Sequence, residues 1–125
     1  DDKGRQINEG GKLEGKYMTC SIKNFGRYTI AIDTVAPKCK PQNFVSGKAF
    51  KAKEKKIIVK ISDNLAGITS YNAYLNGQWI LAEYDGKSGR LIMDAKKLKQ
   101  GTNKLTIKLS DSKSNSSSFD YTITK

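Results

Sequence analysis

The sequence predicts an all-β protein, an immunoglobulin-like antiparallel β-sandwich of about seven strands preceded by a two-stranded segment. Apolar and polar residues alternate in the runs 57–61, 105–109 and 119–123, and a period of two places each apolar set on one face of a strand. Turn sequences rich in Asp, Asn and Gly separate these runs at short spacing. Short strands in such a series are typical of a sandwich.

The chain is predicted to divide near its only two prolines, Pro37 and Pro41. Residues 1–36 are expected to form an N-terminal loop and a β-hairpin, the end of a preceding module, and residues 37–125 the sandwich. Pro37 fixes its own backbone and biases the residue before it toward extended geometry, which suits a link between modules.

Within the first segment, residues 1–15 are rich in Gly and charge and are expected to be an exposed start. Strands are expected at 17–23 and 26–33, on either side of Asn24-Phe25-Gly26. Two strands are too few to bury a core of their own, so the segment is expected to be either the tail of a truncated module or a hairpin docked on the sandwich.

After Pro41, a variable stretch with a lysine-rich run at 51–56 leads into the strands of the sandwich. The strongest hairpin signal is Asn76-Gly77, and residues 95–101 are expected to be a short helical turn or loop. The predicted strands cover residues 57–62, 70–75, 78–84, 90–94, 102–110 and 118–124.

Several of the turns also resemble a known family. The matching segments, which fall between Gly26 and Lys125, are Asp33-Thr34-Val35-Ala36-Pro37, Ile61-Ser62-Asp63-Asn64-Leu65-Ala66-Gly67-Ile68, Ser70-Tyr71, Asn76-Gly77-Gln78-Trp79-Ile80-Leu81, Glu83-Tyr84-Asp85-Gly86-Lys87, Gly101-Thr102-Asn103-Lys104-Leu105 and Ser110-Asp111. This order resembles the C-terminal immunoglobulin-like region of exported lysostaphin-type zinc peptidases of Gram-negative bacteria.

The resemblance implies a non-catalytic accessory or spacer module of an exported cell-wall peptidase. In that family histidines and an aspartate hold the zinc, and this chain has no histidine, so we expect neither an enzyme nor a cofactor. Its partners would be other domains of the same polypeptide and peptidoglycan or another anionic envelope polymer. The place expected for it is the periplasm, the outer-membrane surface or the extracellular space, and no apolar run is long enough to predict a transmembrane segment.

The formal net charge of +11 is concentrated in the predicted sandwich. Residues 1–36 carry six basic and five acidic residues, whereas residues 37–125 carry seventeen and seven. Such a surface favours docking to an anionic polymer, and the lysines expected to carry it are Lys51, Lys53, Lys55, Lys56 and Lys60. A nucleic-acid partner is disfavoured because only three of the 23 basic residues are arginine. The alternative is a lysine-rich surface that serves only solubility.

Four aromatic residues around the Asn76-Gly77 turn predict an alternative function, a carbohydrate-binding or adhesion module. They are Tyr71, Tyr74, Trp79 and Tyr84. We expect Tyr71 and Trp79 to share one face of the sheet and Tyr74 and Tyr84 the other. Exposed rings would stack on sugars, whereas buried rings would only complete the core.

Acidic residues follow two of the predicted strands. Asp63 and Asp111 end the second and sixth strands, whose following loops lie at one end of an immunoglobulin-like sandwich, together with the incoming link at Asp33. Carboxylates meeting there could bind Ca²⁺. The alternative is that each caps its own turn.

Cys20 and Cys39, the only cysteines, allow either a disulfide or two reduced, mostly buried thiols. The carboxylate pair Glu83 and Asp85 would suit general acid–base chemistry, but Lys87 beside it indicates ordinary surface pairing. The serines of 114–118 have no histidine base and belong to a polar loop rather than a nucleophile site.

Overall fold

The computed structural model describes residues 7–125, which form two compact units, one ending at Ile32 and one spanning Asp33–Lys125. The first unit contains a hairpin of β1 (Lys12–Glu14) and β2 (Tyr17–Thr19), with Leu13 opposite Met18. The two-stranded segment is therefore present, but it begins earlier in the chain than the pattern predicts.

The prediction of a strand at residues 26–33 is wrong, because the structure has no strand there. Tyr28, Ile30 and Ile32 recur at every second position, as the residues of one strand face would, yet all three side chains are exposed. Alternation stabilises a strand only where a partner strand and an apolar surface accept it. Of the loop expected at 1–15, residues 1–6 lie outside the described residues and Lys12–Glu14 is β1.

The second unit is an immunoglobulin-like β-sandwich, which confirms the predicted fold class. Its strands are β3 (Lys38–Pro41), β4 (Lys56–Ser62), β5 (Ile68–Leu75), β6 (Gln78–Ile80), β7 (Glu83–Asp85), β8 (Arg90–Asp94), β9 (Thr102–Asp111) and β10 (Ser116–Thr124). One sheet has the order β3-β4-β8-β7 and the other β10-β9-β5-β6, with every neighbouring pair antiparallel. Each sheet takes strands from both halves of the unit, as in the Greek-key connection of immunoglobulin domains.

The predicted alternation places the core between the two sheets. In β4 the buried residues are Ile57, Val59 and Ile61, while Lys56 and Lys60 are exposed. The other sheet contributes a matching set from β5 and β9, and Ile123 closes the core from β10. A 3₁₀ turn, Ala95–Lys97, joins β8 to β9 and is capped by the Asp94 carboxylate, which accepts from the Lys96 N–H.

The strand predicted at 78–84 is in fact two strands that belong to different sheets. After β6 the chain leaves the second sheet at Leu81, and β7 joins the first sheet beside β8. A crossing between layers interrupts the period of two, so face assignments cannot be carried from Trp79 to Tyr84. Within residues 7–125, no helix has the length and apolar character that crossing a membrane requires.

Candidate functional site

The exposed face of the second sheet carries Trp79. Its side chain is 58% exposed on the edge strand β6, and its indole Nε1–H donates to Oδ1 of Asn72 at 3.2 Å. Directly opposite in register lies Tyr74 of β5. The two-residue Asn76-Gly77 turn sets this register, since residues at equal distances from such a turn face each other on one side of the sheet. The Trp79 ring is thus accessible to a ligand, and its hydrogen bond to Asn72 orients it.

Tyr74 is less accessible than Trp79. It is half-buried, and the Nζ atom of Lys108 lies 5.3 Å from the centre of its ring. A cation over an aromatic face is favourable, so this contact holds the lysine charge close to the Trp79 strand. The face therefore combines one open ring with one fixed positive charge.

A shallow groove lies on the same sheet face. It encloses about 350 Å³ and is lined by five serines together with one asparagine, one lysine and one leucine, namely Ser70, Asn72, Lys108, Leu109, Ser110, Ser116, Ser117 and Ser118. Two cross-strand rows form its floor: Ser70, Ser110 and Ser116 in one, and Asn72, Lys108 and Ser118 in the other. Asn72 belongs to both the groove and the Trp79 contact, which joins the two features into one surface, called here the Trp79 face.

The predicted pairing of the other aromatics is wrong. Trp79 shares its face with Tyr74, whereas Tyr71 packs against Tyr84 of the other sheet with ring centres 5.4 Å apart. The reason for the Trp79 position is the two-residue Asn76-Gly77 turn, which pairs Trp79 with Tyr74 and so reverses the expected alternation. The crossing after β6 then places Tyr84 in the other sheet. Tyr71 and Tyr84 are partly exposed where they meet but belong to no surface with Trp79.

The sequence pattern missed the groove because its lining residues are ordinary polar residues of three distant segments. The last strand, predicted to begin at residue 118, begins at Ser116, so Ser116 and Ser117 lie on β10 rather than in the preceding loop. The available signal was the alternation of polar with apolar residues in 70–72 and 108–110 and the serine run at 116–118. It becomes meaningful only once the strand register brings the three segments side by side.

Basic side chains align on the exposed face of the first sheet. Lys40, Lys60 and Arg90 occupy directly opposed positions on β3, β4 and β8. None of them forms a salt bridge with any residue in 7–125. Like charges directly opposite one another destabilise a sheet, so an anionic partner would relieve this row.

The lysines predicted for docking are all exposed, though only some of them are on the sheet. Lys56 and Lys60 are on β4, whereas Lys51, Lys53 and Lys55 lie in the segment that precedes it. Asp85 lies opposite Arg90 in register, and its carboxylate accepts from the Ser88 hydroxyl and the Lys87 N–H. Those hydrogen bonds hold the pKa of Asp85 below its usual value and make it a turn cap.

Three carboxylates meet at one end of the sandwich. Asp33 precedes β3, Asp63 follows β4 and Asp111 ends β9, and one oxygen from each lies within 4.8 Å of the others. Asp33 and Asp111 are only 7% and 4% exposed. We call these three residues the carboxylate cluster.

Most oxygens of the cluster accept backbone N–H groups. Asp33 accepts from Val35 at 3.0 Å and from Ala66 at 2.7 Å, so it joins the incoming segment to the β4–β5 loop. Asp63 accepts through Oδ2 from Leu65 at 3.3 Å and from Gly67 at 2.8 Å.

Asp111 is held by its own loop. Its Oδ1 accepts from the Lys113 and Asn115 N–H groups, and its Oδ2 from the Asn115 side chain at 2.7 Å. Burial alone would raise the pKa of Asp111, but these hydrogen bonds outweigh it and the pKa lies below its usual value. Asp111 is therefore an anion at neutral pH.

The two cysteines differ in environment. Both are free, Cys39 buried in β3 and Cys20 exposed. Burial raises the pKa of the Cys39 thiol. Of the two sequence alternatives, a reduced buried thiol describes Cys39 but not Cys20, and the disulfide stays a prediction.

Comparisons with family models, with curated proteins and with solved structures found no match. The likeness to the accessory region of cell-wall peptidases therefore remains a hypothesis carried by the segments quoted above.

Proposed function

We propose that this chain is a non-catalytic accessory module that holds its parent protein, a cell-wall peptidase, on a sugar polymer of the bacterial envelope. The observation that carries the proposal is the exposed Trp79 ring beside a groove of hydroxyl and amide groups. A sugar ring offers an apolar face for stacking and hydroxyl groups for hydrogen bonding, and the Trp79 face offers the partner of each.

The position of Lys108 indicates which class of sugar the Trp79 face would bind. Lys108 is one of the residues that line the groove, and its ammonium group lies over the Tyr74 ring. A ligand that stacks on Trp79 and extends along the groove would therefore meet a positive charge. This arrangement favours a saccharide that bears a carboxylate or phosphate over a neutral one. Peptidoglycan and other acidic envelope glycans belong to that class.

The test is a pull-down of the chain on purified peptidoglycan at low and at physiological salt. Trp79→Ala is expected to weaken binding about 30-fold, the loss typical of a central aromatic anchor. Tyr84→Ala is the matched control, because it removes a partly exposed aromatic that lies away from the Trp79 face. Circular dichroism must show that both variants fold. Unchanged binding by Trp79→Ala would exclude the sugar platform.

The basic row supports a second candidate, electrostatic docking to an anionic polymer without sugar recognition. The variant that tests it is the double substitution Lys40→Gln and Lys60→Gln. It removes two positive charges that face each other on neighbouring strands of one exposed sheet face. Binding that falls with salt and in this variant, but not in Trp79→Ala, would favour electrostatic docking. Absence of binding at both salt concentrations would favour a spacer whose partners are the other domains of its own polypeptide.

A further inference from the structure

Hydrogen bonds from N–H groups account for every oxygen of the carboxylate cluster except one. Oδ1 of Asp63 is buried and has no hydrogen-bond partner. The other carboxylate oxygen of Asp63, Oδ2, accepts the Leu65 and Gly67 N–H groups and so caps the turn without a contribution from Oδ1. A buried carboxylate oxygen without a donor is costly, because it has lost water and gained nothing in exchange.

The charges around this oxygen increase that cost. Asp33 and Asp111 bring two more carboxylates close to Asp63, and among residues 7–125 no lysine or arginine forms a salt bridge with any of the three. The Lys113 side chain acts on Asp111 only through its charge, while the Lys113 backbone N–H donates to Asp111 Oδ1. Three convergent anions with one unsatisfied oxygen are what a bound cation would neutralise.

We infer that the carboxylate cluster binds one Ca²⁺ ion, with Oδ1 of Asp63 as a ligand and Asp33 and Asp111 each giving an oxygen. Calcium takes oxygen ligands at about 2.3–2.6 Å, so two oxygens on one ion can lie up to about 4.6–5.2 Å apart. The cluster oxygens, within 4.8 Å of one another, fall inside that span. Three carboxylates from three separate chain segments also exceed the one or two that magnesium usually takes.

The ion would tie three parts of the sandwich together. Asp33 lies in the segment that enters β3, Asp63 in the loop after β4, and Asp111 at the start of the loop after β9. These positions are brought together only by folding, so calcium would bind the folded state and stabilise it.

The experiment is a calcium titration of the full chain after dialysis against a chelator, followed by calorimetry and by thermal unfolding. We expect a single site and a rise in Tm of roughly 10 °C once calcium is about 100-fold above its Kd. Magnesium in parallel is expected to raise Tm much less. An equal response to magnesium, or no heat and no shift with calcium, would overturn the assignment.

A variant separates a calcium site from a merely structural cluster. Asp63→Asn keeps the shape of the side chain but replaces the unpartnered Oδ1 by an amide that can donate to the neighbouring carboxylates. It is expected to abolish the calcium shift while raising Tm in chelator. Asp120→Asn, on an exposed carboxylate of β10, is the matched control and should keep the full calcium shift. A full calcium response in Asp63→Asn would overturn the proposal.

Discussion

The side-chain amide of Asn76 donates a 2.9 Å hydrogen bond to Oδ1 of Asn103, across the end of the second sheet. Asn76 belongs to the β5–β6 turn, with a positive φ of 52°, and its own Oδ1 accepts from the Lys104 N–H at 2.9 Å. The pair thus fastens the turn that sets the Trp79 register to the first residues of β9. Asn103 is fully buried, which makes this polar contact part of the core.

Asn103→Ala is expected to lower the free energy of unfolding by about 2–4 kcal/mol. The amide of Asn103 donates to the carbonyls of Lys99, Gly101 and Ile123, and its oxygen accepts the Lys99 N–H, so the variant leaves several buried backbone groups unsatisfied. Urea unfolding measures the loss. The exposed Asn64, changed to Ala as a control, is expected to shift stability by no more than about 0.5 kcal/mol. A loss below about 1 kcal/mol for Asn103→Ala would contradict a structural role for this network.

Gly89→Ala is expected to destabilise the chain by about 1–3 kcal/mol. Gly89 has a φ of +64°, and an added Cβ would lie 3.0 Å from the Ile61 carbonyl oxygen, backbone that cannot easily yield. The same residue accepts the Ile61 N–H at 2.8 Å, so the strain falls on the β4–β8 pairing. Gly86→Ala in the same turn is the control, since φ there is not positive and the nearest atom is 3.7 Å away. Equal stability of the two variants in urea would show that the turn is not strained.

The two thiols are expected to react at very different rates with an alkylating reagent. Cys20 is exposed and should label within the mixing time, whereas Cys39 is buried and its raised pKa further lowers the thiolate fraction. Both should label rapidly once the chain is unfolded, as read by mass spectrometry. The Cys20→Ser variant supplies the control with Cys39 alone. Protection of both thiols until a reductant is added would show the disulfide that the sequence also allows.

Much of the fold could be predicted because local pattern and final environment agree. Ile57, Val59 and Ile61 alternate with polar residues and are buried as that pattern requires. The same topology placed Asp33, Asp63 and Asp111 at one end of the sandwich, where the structure has them within 4.8 Å. Strand order alone determines which loops lie at the same end of a sandwich, so the proximity of these three residues could be predicted without knowing any side-chain position.

The remaining features depend on register and on layer crossings, which no local pattern contains. The row of Lys40, Lys60 and Arg90 exists only because β3, β4 and β8 pair at those positions. The crossing after β6 divided one predicted strand between two sheets and separated Tyr84 from Trp79. The unpartnered oxygen of Asp63 is likewise a property of the folded chain, because its burial is not visible in the local sequence.

The free energy of unfolding is expected to fall in alkaline solution because the Tyr121 hydroxyl ionises more easily in the unfolded chain than in the folded one. This hydroxyl donates to the Cys39 carbonyl at 3.0 Å, and burial, aided by the neighbouring Cys39 side chain, raises the pKa of Tyr121 well above its usual 10.0. The unfolded chain therefore releases this proton near pH 10 while the folded chain keeps it. Deprotonation then favours the unfolded state, so the stabilisation is complete below pH 10 and is lost as the pH rises above it.

Tyr121→Phe isolates this effect, because it removes the titrating group while leaving the ring against Phe44. At pH 8 the variant is expected to be about 1 kcal/mol less stable than the wild type in urea, the value of one lost hydrogen bond. At pH 11 that difference should shrink, since the wild type alone is weakened by the tyrosine titration. A difference that stays constant between the two pH values would mean that the folded state does not hold the Tyr121 proton more tightly than the unfolded chain does.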